Sequence, residues 1–218
     1  MRHRSQEETS TKLPGREQVI EALVESIVHR HATLLYGPVG VGKSAVLEAV
    51  AERLRGAGYC VAVCPKTASR TDVRAALATS PNETGRRAAL LLDGLVAATA
   101  PMRTLLHRLQ GRGTGIVVAA DVANEREHQR VRSMRLAYRE MELFRLDNRL
   151  IRELLAGLVR ENLVDDLVPI SHGLPGRAHV AAALVAQPRY WSKHGLLRSV
   201  LETDVDAEMT RRAMVSPG

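Results

Sequence analysis

The segment Gly37-Pro38-Val39-Gly40-Val41-Gly42-Lys43-Ser44 constrains this chain more than any other. It fits G-x-x-x-x-G-K-[ST], a phosphate-binding loop. The residues before it, Ala32-Thr33-Leu34-Leu35-Tyr36, read as a buried strand. Those after it read as a helix, with apolar side chains at 46, 47, 50, 51 and 54. Strand, glycine loop and helix form the context in which this motif works. The glycines let backbone N–H groups turn inward around phosphates, and the helix N-terminus adds a favourable dipole. In such a loop the lysine, Lys43, reaches the β- and γ-phosphates, and the hydroxyl of Ser44 ligates Mg²⁺. ATP and Mg²⁺ are therefore the expected cofactors, although the motif does not code for adenine over guanine.

A chain of 218 residues fits one α/β domain, or a core with a small appendage. Hydrophobic residues make up 45%, enough for a core, which excludes a disordered chain. Aromatics make up 3%, so that core must be built from Leu, Val, Ile and Ala. The net charge is +7, and lysine occurs only at Lys12, Lys43, Lys66 and Lys193, so the positive charge is nearly all arginine. Arginine suits bidentate phosphate contacts, but a GC-rich genome supplies the same bias. The balance favours nucleic-acid contact. Cys60 and Cys64 fall on one face of a strand with no Cys/His cluster nearby, so they read as small core residues in a reducing cytoplasm. No run of 18 apolar residues spans a membrane, and the N-terminus has no apolar signal-peptide segment.

Along the chain, residues 1–12 read as a flexible N-terminus. A helix follows Leu13-Pro14-Gly15-Arg16-Glu17, with Val19, Ile20, Leu23, Ile27 and Val28 on its apolar side. Further strands are expected at 59–64, 88–93, 115–120 and 140–143, with helices near 71–79 and 101–110, an exposed loop at 80–85 and partly helical structure at 124–137. Asp147 reads as the cap of a helix through Glu161, followed by helices near 163–168 and 176–186. The expected fold is a parallel five-stranded α/β sheet flanked by helices (13–145), then a small all-helical lid (146–187) and a helical tail (188–218). There is no internal repeat.

Asp93 ends an apolar run 50 residues after Lys43, where an acid holds Mg²⁺ in P-loop enzymes. Many such enzymes place a Glu next, to deprotonate the attacking water. Here the next residue is Gly94, and Leu95-Val96-Ala97-Ala98 bring no substitute. A positioned base is worth about 10²–10⁴ in rate. Slow hydrolysis is expected, with Asp121, Glu125 or a neighbouring subunit as the other sources of a base.

These residues together resemble an AAA+ ATPase. The matching parts are the turn Pro14-Gly15-Arg16-Glu17, the loop 37–44 and the strand Leu90-Leu91-Leu92-Asp93. Asp121 stands where the family's sensor 1 usually has Asn or Thr. Gly173-Leu174-Pro175-Gly176-Arg177 resembles a sensor 2 motif, which implies that Arg177 reaches the γ-phosphate from the lid. The turn and the short lid most resemble replication initiators, helicase loaders and transposition regulators of the TniB/TnsC-like kind. The resemblance implies rings or filaments in which an arginine of one subunit contacts the next subunit's γ-phosphate. Arg132 best fits that pattern, with Arg130 and Arg135 behind it and Arg126 in the same window.

No helix-turn-helix or zinc finger is present. DNA binding would fall to the core, through Arg70, Arg74, Arg103, Arg108 and Arg112 contacting phosphates. Trp191, in the basic tail segment 189–194, either packs on the lid or docks a partner. The expected function is an ATP-binding protein that oligomerises on DNA in its ATP state and recruits or regulates a partner. The rivals are a STAND-like signalling ATPase, whose Walker B Leu91-Leu92-Asp93-Gly94-Leu95 resembles, and a protein-remodelling chaperone.

Overall fold

The computed structural model describes residues 13–78, 87–95, 99–121, 125–193 and 195–214. The expected N-terminus 1–12 and the whole of the loop 80–85 lie outside them. Five strands alternate with helices: α1 Glu17–Val28, β1 Ala32–Gly37, α2 Lys43–Gly56, β2 Cys60–Pro65, α3 Arg70–Ala78, β3 Ala88–Asp93, α4 Ala100–Gly111, β4 Gly115–Asp121, α5 Glu125–Ser133 and β5 Tyr138–Glu142. All five strands pair in parallel, in the order β2-β3-β4-β1-β5. The continuous apolar runs of β1, β3 and β4 occupy the middle of that sheet, as strands covered on both faces must.

Strand alternation divides the core in two. Leu34, Leu90, Leu92, Ile116 and Val118 pack against Val73, Leu105, Leu106 and Val131 of α3, α4 and α5. Leu35, Leu91, Val117 and Ala119 face the other way, against Leu23 and Ile27 of α1 and Leu47, Val50 and Leu54 of α2. The two cysteines are free and buried, on the same side of edge strand β2. Burial pushes the Cys64 thiol up, so it stays a neutral packing residue.

The helical part departs from expectation in two ways. The helix expected to run to Glu161 stops early: α6 is Asn148–Ala156, and α7 is Glu161–Ser171. Gly157 caps α6, and its weak helix propensity explains the break. The expected cap is in place, with Asp147 accepting from the Leu150 N–H at 2.8 Å. After α8, Pro175–Val185, the tail is not simply helical. A 3-10 turn at Pro188–Tyr190 leads into a two-strand hairpin, β6 Trp191–Ser192 and β7 Gly195–Leu196, then α9 Arg198–Met214. Tyr190, Leu201 and Val205 are buried in the lid's own apolar cluster with Ile151, Leu155 and Leu167. The segment after 187 therefore packs with the lid. Trp191 donates from its indole N–H to the Val185 carbonyl at 2.9 Å and stays 41% exposed, at the rim of a lid groove. Among the described residues, no helix is long and apolar enough to cross a membrane.

Candidate functional site at the end of the sheet

A parallel sheet sends the C-terminal ends of its strands to one edge, where its loops gather. That edge collects the motif residues. In strand register Gly37 of β1 lies beside Asp121 of β4, and Asp93 ends β3 on the far side of β4. Asp93 Oδ2 accepts a 2.7 Å hydrogen bond from Ser44 Oγ, at the start of α2. Hydroxyl and carboxylate oxygens side by side are the hard donors that Mg²⁺ prefers, so the pair fits that ion. The Lys43 ammonium donates to the carbonyls of Gly37 at 2.6 Å and Pro38 at 3.0 Å, which holds it over the loop. Cation, glycine-rich backbone and helix N-terminus together suit a polyphosphate.

Arg16 is a residue whose importance the sequence did not signal beyond its place in the leading turn. It is 6% exposed. Its Nη2 donates to the Val41 carbonyl at 2.9 Å and to the Phe144 carbonyl at 2.8 Å. One buried guanidinium thus ties the phosphate loop to the hinge between sheet and lid. Burial lowers its pKa, but arginine remains charged at any ordinary pH.

The lid touches the loop through two glycines. The Gly176 N–H, in the first turn of α8, donates to the Gly40 carbonyl at 2.8 Å. A Cβ at Gly176 would come within 2.8 Å of the Gly40 Cα, and one at Gly40 within 2.6 Å of the Met209 methyl on α9. Loop, α8 and α9 therefore meet with no room for a side chain. Gly176→Ala should push backbone against backbone and lower stability by about 1–3 kcal/mol in urea unfolding. An unchanged midpoint would show that the seam gives way easily.

The resemblance implies a γ-phosphate contact for Arg177, and for the intersubunit arginine it favours Arg132 over Arg130 and Arg135. Arg177 is 9% exposed and turned into the lid. Its Nε donates to the Ile170 carbonyl at 2.9 Å, Nη1 pairs with Asp206 of α9, and Nη2 is buried without a hydrogen-bond partner among the described residues. Its backbone nitrogen is 3.9 Å from a Cβ built on Gly40, so it starts at the loop although its charge is held on α9. Arg132 is exposed and pairs with Glu140 of β5 at 2.9 Å. Arg126, Arg130 and Arg135 are exposed as well. Glu125, one of the acids considered as a base, accepts from Gln129 at 3.2 Å on its own helix.

Of the five arginines expected to face DNA, the structure brings three together. Arg70 and Arg74 of α3 and Arg108 of α4 line one groove of about 330 Å³ with Pro101 and Thr104. Arg103 and Arg112 do not line it.

A family profile for an "AAA ATPase domain" matches residues 12–167. The chain belongs to the AAA ATPase family. No curated protein sequence matches it. Solved AAA+ structures share its fold. The Saccharomyces cerevisiae Hsp104–ADP complex is 16% identical, with a TM-score of 0.58, covering 80% of this chain and 31% of that one. The Aeropyrum pernix ORC1 protein in complex with DNA is 18% identical, with a TM-score of 0.57, covering 91% and 66%. Replication initiator DnaA bound to AMPPCP and single-stranded DNA is 16% identical, with a TM-score of 0.54, covering 78% and 60%. The chain spans less than two thirds of each of these proteins, and likeness at this identity is a likeness of fold.

Proposed function

We propose that this AAA ATPase binds ATP and Mg²⁺ at the loop 37–44, assembles into homo-oligomers in that state on DNA, and recruits a partner protein. Initiators, helicase loaders and TniB/TnsC-like transposition regulators are the group it fits best. The observation that carries the reading is the Ser44–Asp93 contact, which joins two motifs 49 residues apart beside the Lys43 ammonium. Lys43 would hold the β- and γ-phosphates, and Ser44 and Asp93 would hold the metal. Bound there, Mg²⁺ would neutralise charge on the phosphates.

Hydrolysis is slow in this reading. Gly94 stands at φ +101°, a left-handed turn directly after Asp93. A glutamate there would be strained by about 1–2 kcal/mol, so the missing base is built into the turn. Gly94→Glu should therefore destabilise the protein without raising ATP turnover. A clear rise in phosphate release would show that the turn tolerates a base. Asp121, beside Gly37, is the acid best placed to serve instead.

Two ion pairs make the site suited to switching. The exposed Arg132–Glu140 pair is worth about 0–1 kcal/mol, so a neighbouring subunit's phosphate can displace it. Arg177 would exchange Asp206 for the γ-phosphate, and α9 would feel the loss of its partner. DNA contact rests on the groove of Arg70, Arg74 and Arg108, none of which is ion-paired among the described residues. Both helices begin at this groove, so their dipoles add to its attraction for phosphate. The test is an ATP-dependent, salt-sensitive shift of plain duplex DNA. A chaperone-like protein would bind unfolded polypeptide and leave DNA unshifted.

A further inference from the structure

A pocket of about 250 Å³ lies between the leading turn, the phosphate loop and the lid, walled by Leu13, Pro14, Val41, Leu146, Leu154 and Pro175. On the nucleotide reading above, on which this inference rests, a base attached to phosphates at Gly37–Ser44 lies here. Apolar walls suit the two faces of a purine and offer nothing to its edge.

Among the described residues, three lining side chains carry hydrogen-bonding atoms: Arg16, Ser44 and His179. Arg16 can only donate, and it is held by the Val41 and Phe144 carbonyls. Ser44 Oγ is committed to Asp93. His179 follows Pro175 by one turn of α8, so the two share the face that meets the loop. Its Nδ1 lies 2.9 Å from the Pro175 carbonyl oxygen. A carbonyl only accepts, so Nδ1 carries the proton. In the neutral ring Nε2 is then an acceptor.

We propose that His179 selects the base, with Nε2 accepting a hydrogen bond from the 6-amino group of adenine. A 6-oxo purine would set an acceptor oxygen, instead of a donor, against that lone pair. An unmade hydrogen bond costs more than a made one gains, which gives this contact its selectivity. ATP is preferred over 6-oxo nucleotides through one exposed side chain of the lid. The choice of base is thus tied to lid closure, since His179 rides on the helix that Gly176 fixes to Gly40.

Calorimetric titration of the whole chain with ATP and with inosine triphosphate, which has an oxygen at position 6 and a proton on N1, tests this. The wild type should bind ATP about tenfold more tightly, the equivalent of one net hydrogen bond. His179→Ala and His179→Phe should bring the two triphosphates to equal affinity, as ATP loses its hydrogen bond and inosine triphosphate is freed of the opposed lone pair. Because His179 is exposed, both variants should keep the wild-type melting temperature. Equal affinities in the wild type, or an equal loss of both triphosphates in the variants, would overturn the proposal. Failure of the wild type to bind either one would overturn the nucleotide site itself.

Discussion

Lys43→Ala is expected to weaken ATP binding by about 10²–10⁴ and to remove turnover and assembly with it. The ammonium now bridges the Gly37 and Pro38 carbonyls, 2.6 and 3.0 Å away, and would give at least two charge-assisted hydrogen bonds to phosphate. Such bonds contribute about 1.5–3 kcal/mol each, which sets that range in affinity. The fold itself should tolerate the change, because Lys43 is only part-buried and both carbonyls stay within reach of water. The check is equilibrium titration with an ATP analogue, alongside a thermal melt. Binding within threefold of wild type, with the fold intact, would remove the loop from the account.

The second large effect concerns DNA. Replacing Arg70, Arg74 and Arg108 together by alanine should lower duplex affinity by roughly two to three powers of ten per bound subunit at 0.1 M salt. Three fewer phosphate contacts also flatten the plot of log affinity against log salt by about 3. Replacing Arg103 and Arg112 instead should have a much smaller effect, since neither lines the groove. The loss should be the same for unrelated duplexes, as expected of phosphate contacts. If the two sets of variants behave alike, the groove is not the contact. Oligomers multiply weak sites, so the change should appear most sharply in the ATP-bound state.

What the sequence disclosed, and what it hid, follow from the range of the interactions. The phosphate loop, the apolar strands and the Asp147 cap are local patterns, and each lies where the spacing puts it. The α6–α7 break is local too, and Gly157 was its signal. Pairings across the chain were not legible. Nothing near Arg177 announces Asp206, 29 residues later. Nothing near Arg16 announces that its guanidinium bridges Val41 and Phe144. His179 shows as a lone histidine until the fold places it at the pocket. The arginines fall between these cases. Arg70 and Arg74 are one helical turn apart, as are Thr104 and Arg108, so each pair shares a face. Arg112 lies past the end of α4 at Gly111. Helical spacing pairs Arg70 with Arg74, but only the fold shows that Arg108, and not Arg103, looks into the same groove.

The central claim is that nucleotide at Gly37–Ser44 governs assembly. Its most direct test is the mass distribution of the purified protein with a non-hydrolysable ATP analogue or with ADP, each with and without duplex DNA. The account predicts monomers or small species with ADP, and rings or filaments with the analogue that DNA extends and Lys43→Ala abolishes. A protein that stays monomeric with the analogue and DNA together would contradict it.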